Sequence, residues 1–302
     1  YLAKAGYKVK VLEKNDSIGG RARQFKHEGF TFDMGPSWYW MPDVFERFFA
    51  DFDKKPQDYY ELDKLSPGYQ VIFGEDDAFQ VADNLDDLYS SFDKLEANGA
   101  HKLKKFMDQA RSNYNIAIKK LVYKPGESPL ELVTSETVAK LGQFFSNIDR
   151  DVEKDFENPK LKQILKFPVL FLGARPQDTP SFYSFMNYAD FGLGTWHPKG
   201  GMFSVVRAMH DLAVSLGVEF QTQANVEHIN VNAHDEVVSL VVNGKSESTH
   251  LVLSGADYHH TETLLDKRLR QYSENYWDKK TFAPSSLLFY VGFDKKLKNI
   301  NH

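Results

Sequence analysis

A short apolar run that ends on an acid and opens into a glycine pair constrains this chain more than any other stretch. It is Lys8 to Arg23, KVKVLEKNDSIGGRAR. Val9, Val11 and Leu12 crowd together as in a buried parallel strand, and Glu13 stands where that strand should stop. An acid at the end of the second strand of a βαβ unit can hydrogen-bond a ribose hydroxyl of a dinucleotide, and Glu13 has that position. At Gly19-Gly20-Arg21 the missing side chains let backbone approach a ligand, and a guanidinium offsets phosphate charge. The same residues also fit any α/β strand followed by a loop.

A complete unit carries a glycine-rich turn about twenty residues before the acid, whereas twelve residues precede Glu13 here. Tyr1 to Ala5 therefore reads as the last turn of a crossover helix, with Gly6 as its left-handed terminator. Downstream, alternation about Glu28-Gly29 predicts a hairpin over Gln24 to Asp33, broken at Met34-Gly35-Pro36-Ser37. Pro42 opens a helix with Val44, Phe45, Phe48 and Phe49 on one face. Strands are expected near Tyr69 to Phe73 and Ala78 to Ala82.

From Asn84 to about Phe171 the spacing turns helical, with Leu85, Leu88, Tyr89, Phe92 and Leu95 on one stripe. His101 to Val122 reads as a basic amphipathic stretch, closed by Lys124-Pro125-Gly126. Thr179-Pro180 starts a further helix, Gly192 to Gly201 forms a glycine-rich loop, and Met202 to Leu216 is a helix ended by Gly217. Strands follow over Val218 to Gln221, Val226 to Val231 and Val237 to Val242, with a return strand at His250 to Ser254 after the Asn243-Gly244 turn. Asp257 suits the N-cap of the next helix, and Ser285 to Phe293 reads as a last strand.

Several classes are excluded or unsupported. With 37 basic and 42 acidic residues the net charge of -5 gives no footprint for nucleic acid. Cysteine is absent, which removes disulfides and thiolate metal sites and is compatible with a reducing cytoplasm. No apolar run approaches the roughly eighteen residues of a membrane span. His259 and His260 point about 100° apart on a helix and have no carboxylate cluster beside them, so no metal is expected. Lys199-Gly200-Gly201 lacks P-loop spacing. No GxSxG or readable carboxylate pair supports a hydrolase. The 14% aromatic content suits either an aromatic core or a site for a long apolar ligand.

Four blocks, VLEKNDSIGGRARQF, GFTFDMGPSWYWMPDVFERFF, GTWHPKGGMFSVVRAM and LVLSGADYHHTETLL, resemble in register the motifs of the phytoene desaturase family, bacterial carotenoid desaturases related to the flavin amine oxidases. The resemblance implies an α/β fold in which a truncated Rossmann-like FAD-binding domain (1–63 and 204–262) is interleaved with a mixed-sheet substrate domain (64–84, 179–203 and 263–302). A helical insertion (85–178) completes it. The family's first glycine-rich turn and its C-terminal flavin-contacting segment have no counterpart, so the chain reads as an internal fragment that should bind FAD poorly by itself.

The resemblance also implies FAD contacts at Glu13, Gly19, Gly20, Arg21, Gly35, Pro36, Ser37, Val226 and Asp257, with Trp38, Tyr39 and Trp40 close to the flavin. Its activity would be FAD-dependent desaturation of phytoene by hydride transfer to flavin, on a long isoprenoid chain with no polar handle. A hydroxylated-carotenoid desaturase or isomerase, a lipid-binding protein without turnover and an amine oxidase are the alternatives. A lipid-dissolved substrate implies cytoplasmic, peripheral membrane attachment. Lys102, Lys104, Lys105, Lys119 and Lys120 with the apolar run Phe167 to Leu172 are the expected contacts, although charged helix faces are ordinarily just solvated. No residue type or spacing singles out a catalytic proton acceptor; Tyr183, Tyr188, His197 and Asp257 remain open.

Overall fold

Three residues of the opening run form a strand, Lys10–Leu12, which pairs in parallel with Glu219–Gln221 as expected but is not buried: Lys10 and Val11 are exposed and Leu12 is half-buried, because among the described residues the strand has a single neighbour. The ladder is extended by Glu219 N donating to Val9 O at 3.1 Å and Glu13 N donating to Gln221 O at 2.9 Å. A parallel pair needs a long crossover between its strands, and here it spans most of the chain. In this computed structural model residues 1–282 and 285–298 are described. They divide into two compact units, 1–35 with 205–282, and 36–204 with the described residues from 285 onward.

In the first unit the expected hairpin forms from Gln24–His27 and Phe30–Asp33. Glu28 and Gly29 both take positive φ, at 47° and 83°, as a tight two-residue hairpin turn requires. Gly6 is left-handed at φ 93° after a single turn that closes with Ala5 N on Tyr1 O. Val226–Val231, Val237–Val242 and Lys245–Ser248 make a three-stranded antiparallel sheet. The return strand is therefore Lys245–Ser248 and not His250 to Ser254: the Asn243-Gly244 turn is tight enough for pairing to resume at Lys245. Residues 250–254 join no ladder among the described residues.

Residues 263–282 also belong to this unit. Buried Glu262, on the helix Tyr258–Thr263, accepts from Gln271 N at 2.9 Å, Tyr272 N at 3.3 Å and Trp277 Nε1 at 2.9 Å. Those bonds tie the segment back onto the helix.

The second unit is built on a core that joins strands to helices. Tyr69–Gly74 and Asp77–Val81 pair across the turn Glu75-Asp76. Tyr69, Phe79 and Val81 from this pair share one buried cluster with Leu88 and Phe92 of Leu85–Leu95, Leu103 and Met107 of Gly99–Ile116, and Leu161 and Ile164 of Pro159–Lys166. The helical residues expected as an insertion thus pack with these strands. Residues 36–63 make their contacts here too: Tyr39 exchanges backbone bonds with Trp196, and Leu62–Lys64 pairs antiparallel with Trp196–Pro198.

Three local expectations change. The loop Gly192 to Gly201 contains the strand Trp196–Pro198, because those residues find a ladder partner. The helix expected from Thr179-Pro180 is a succession of 3-10, α and wider π turns over residues 181–192. Ser285 to Phe293 forms no strand: no described strand pairs with it, and Leu287 and Phe289 are exposed.

Candidate functional site

The first unit gathers the residues of the opening motif around one turn. Glu13 Oε1 accepts from Asn15 N at 2.8 Å and from Asn15 Nδ2 at 2.7 Å, a local turn that leaves Oε2 without a hydrogen bond among the described residues. The chain then passes into Gly19 at φ 107° and Gly20 at φ 53°. A β-carbon on Gly19 would press on Arg23 Cα at 3.1 Å and Val206 Cγ1 at 3.2 Å, whereas one on Gly20 would meet nothing within 4 Å. Gly19 is therefore small for the protein's own packing. Gly20 keeps an open cradle on its outer side. Arg21 and Arg23 form no ion pair among the described residues.

Gly35 closes the turn from the other side. A β-carbon there would stand 2.0 Å from Arg21 O, at a φ of 137°, so only glycine allows this approach. Met34 N donates to Arg23 O at 2.8 Å and holds the hairpin's end against the glycine turn. Val226 lies two residues after Ala224, whose N–H donates to Glu13 O at 2.9 Å. Asp257 does cap its helix: its carboxylate accepts from His260 N at 3.3 Å. That bond engages it with its own helix, and among the described residues no hydrogen bond or ion pair joins it to Glu13. Pro36 and Ser37 lie in the second unit, where His197 Nδ1 is 3.3 Å from Ser37 O.

The second unit contains a site that spacing did not reveal. Asp190, in the π turn Tyr188–Gly192, is 2% exposed. Tyr69 OH donates to its Oδ2 at 2.6 Å, and Thr195 Oγ1 lies 3.4 Å from Oδ1. Burial pushes the Asp190 carboxyl up to about 7, against the pull of the Tyr69 and Thr195 hydrogen bonds. The same burial, with the carboxylate beside it, pushes Tyr69 far above the ordinary phenol range. Thr195 Oγ1 in turn accepts from Trp40 Nε1 at 2.9 Å. Trp38 stacks on Tyr69 with ring centres 4.6 Å apart. The sequence offered only one signal for this group: an acid between apolar residues in YADFGLG, where a carboxylate must find donors if it is buried.

Tyr39, between the two indoles, points the other way and is buried, sharing a 2.9 Å hydrogen bond with Tyr60 OH. Of the four residues left open as proton acceptors, His197 and Tyr183 are exposed or half-exposed and Tyr188 packs against Tyr114. The fourth, Asp257, caps its own helix. Among the described residues no cluster of His, Cys, Asp or Glu could hold a metal ion.

Residues 1–298 match the family described as flavin containing amine oxidoreductase. This chain belongs to that family. Among curated relatives, a carotenoid 3,4-desaturase from Haloarcula japonica is 40% identical over all of this chain and 62% of its own length. A 4,4'-diapophytoene desaturase from Staphylococcus haemolyticus is 28% identical over all of this chain and 61% of its own. The chain thus spans less than two thirds of the relatives it matches. In fold it resembles a Pyrococcus furiosus protein, with a TM-score of 0.59 and 17% identity over 92% of this chain and 60% of that one. An oxidoreductase from Methanosarcina mazei gives a TM-score of 0.56 and 16% identity over the same shares.

Family membership implies a flavin, and the first unit's residues fit one. The open side of Gly20, the two unpaired guanidinium groups and the unused Glu13 oxygen are the donor and acceptor types that a nucleotide's phosphates and sugar call for.

Proposed function

We propose that this chain carries part of an FAD-dependent desaturase acting on a carotenoid, with a truncated Rossmann-like unit as its cofactor domain. The observation that carries the reading is the 40% identity to a carotenoid 3,4-desaturase along the whole chain. In this reading Glu13 Oε2 takes a ribose hydroxyl, Gly19 and Gly20 admit the diphosphate, Arg21 offsets its charge, and the backbone at Val226 meets the adenine. Gly35, Pro36 and Ser37 carry the chain from the cofactor unit towards the substrate unit. Asp257, already engaged as a cap, would offer backbone only. When bound, the flavin supplies a hydride acceptor.

The remaining tasks belong to side chains. A substrate without polar atoms at its reacting carbons is selected by shape, which aromatic surfaces provide. The boundaries 1–63 with 204–262 for the cofactor domain, 64–84, 179–203 and 263–302 for substrate, and 85–178 for the helical part are our proposed functional division, although residues 36–63 make their contacts in the second unit and residues 263–282 belong to the first.

Peripheral attachment to a lipid surface also forms part of this proposal. Three of the expected lysines are engaged by acids: Lys102 with Glu96 at 2.5 Å, Lys105 with Asp155 at 3.9 Å and Lys120 with Glu136 at 2.5 Å. Support comes instead from exposed apolar side chains at Val133, Val138, Leu141, Phe145 and Leu170 to Leu172, the kind of surface that enters a headgroup layer. No helix among the described residues is long and apolar enough to cross a membrane.

The test is expression of the intact protein in cells supplied either with phytoene or with an already coloured carotenoid, followed by pigment extraction. A lengthened polyene absorption in either supports desaturation, and unchanged pigment in both removes it. The name of the Haloarcula relative favours the second supply as substrate, the alternative to phytoene.

A further inference from the structure

One carboxyl group reaches both indoles of the WYW segment. Residues 38–40 are extended, held by the paired backbone bonds between Tyr39 and Trp196 at 3.0 and 3.1 Å. Alternate side chains of an extended segment share a face. Trp38 and Trp40 accordingly stand side by side, ring centres 5.6 Å apart, both half-buried, with Tyr39 buried on the opposite face. Phe171 covers the pair, 5.7 Å from Trp38 and 4.9 Å from Trp40, and is itself 57% exposed. Its neighbours Leu170 and Leu172 are exposed as well. Exposed apolar side chains therefore lie directly beside the two indoles.

Beneath them the polar groups converge inward. Tyr69, on which Trp38 stacks, donates to Asp190 Oδ2, and Thr195, which receives the Trp40 indole N–H, lies at Asp190 Oδ1. The N–H of Trp40 is spent on this inward bond, so its outward surface offers carbon only. Trp196 likewise sends its N–H inward, to Leu193 O at 2.9 Å. At Trp40 and Trp196 a peptide or a sugar would find no indole N–H to bond with. A hydrocarbon needs none.

We propose that Asp190 is a positioning residue whose buried carboxyl fixes Trp38 and Trp40 together as an aromatic wall for an extended hydrocarbon chain. The proposal rests on the desaturase reading above and adds to it the surface that receives the substrate and the residue that sets it. Two separate links leave one carboxylate, through Tyr69 to Trp38 and through Thr195 to Trp40, and each can be cut alone.

The experiment labels the intact protein with 5-fluorotryptophan, assigns the resonances by Trp→Phe replacement, and uses Trp277 as the internal reference. Tyr69→Phe should move the Trp38 signal and spare Trp40; Thr195→Val should do the reverse. Asp190→Leu should move both, and Asp190→Asn, which can still pair with both hydroxyls, should restore them. If Asp190→Leu does not fold, the two single-link variants decide the matter.

Methyl parinarate, a linear tetraene ester, should shift both indole signals in the unaltered protein and bind about fivefold more weakly to each single-link variant. Indoles that stay put in the single-link variants, or move alike in both, overturn the proposal. Methyl parinarate that binds without touching either indole overturns the wall and leaves the desaturase reading standing. If the unaltered protein does not take up the tetraene at all, the wall falls, while the desaturase reading is decided separately by the pigment test.

Discussion

Gly35 and Arg21 touch through their backbones: a β-carbon added to Gly35 would lie 2.0 Å from the Arg21 carbonyl oxygen. Neither atom can yield cheaply, since both belong to main chain held by the bond from Met34 N to Arg23 O. The contact locks the glycine turn after Glu13 to the end of the Gln24–Asp33 hairpin.

Gly35→Ala should therefore cost at least about 2 kcal/mol, from the positive φ and the collision together. Thermal unfolding of the intact protein, read beside its flavin absorbance, checks this. Unchanged melting with full flavin content would show that the turn relaxes freely.

Glu13→Ala should weaken flavin binding by at least about tenfold, the size of one lost charge-assisted hydrogen bond. Asn15→Ala should weaken it less, because it frees the carboxylate's orientation and leaves the oxygen in place. Titration of flavin-stripped intact protein compares the two. Equal affinity in Glu13→Ala and the parent would place the ribose elsewhere.

Asp190 makes stability depend on pH. Its folded value of about 7 lies above the ordinary 3.8, so the folded chain holds a proton that the unfolded chain has released. The stabilisation present below about pH 4 is lost as pH rises towards 7, by about 4 kcal/mol from this group, and levels off above. Across pH 4 to 8, the stabilities of the parent and Asp190→Asn from denaturant melts should diverge by about that amount in total. Parallel curves would mean that the carboxyl ionises as it would in water.

Glu262→Ala should loosen residues 271–277, because three donors lose their acceptor inside a buried setting. A loss of about 2 to 4 kcal/mol is expected. Hydrogen exchange at the Gln271 and Tyr272 amides reports it directly, and protection equal to the parent's would refute the assignment.

Phe145→Ser combined with Phe171→Ser should cut the fraction of intact protein that floats with phosphatidylglycerol vesicles, while Lys102→Ser should change little because Glu96 already engages that lysine. Greater sensitivity to the lysine than to the phenylalanines would return the contact to the basic helix.

Local chemistry made much of this protein legible from its residues alone. The strand before Glu13, the hairpin about Glu28-Gly29, the cap at Asp257 and the terminator at Gly6 each depend on neighbours a few positions away. Such short-range rules act before any core exists. Motif order, likewise a property of the chain, led to the flavin oxidoreductase family.

What only the tertiary structure decided is which distant residues share a low-dielectric setting. Tyr69 and Asp190 stand 121 positions apart, and no periodicity links them; burial, against their hydrogen bond, pushes the aspartate's carboxyl up to about 7. For the same reason the apolar run at Ser285 to Phe293 read as a strand and forms none, since a strand is defined by its partner and not by its own side chains.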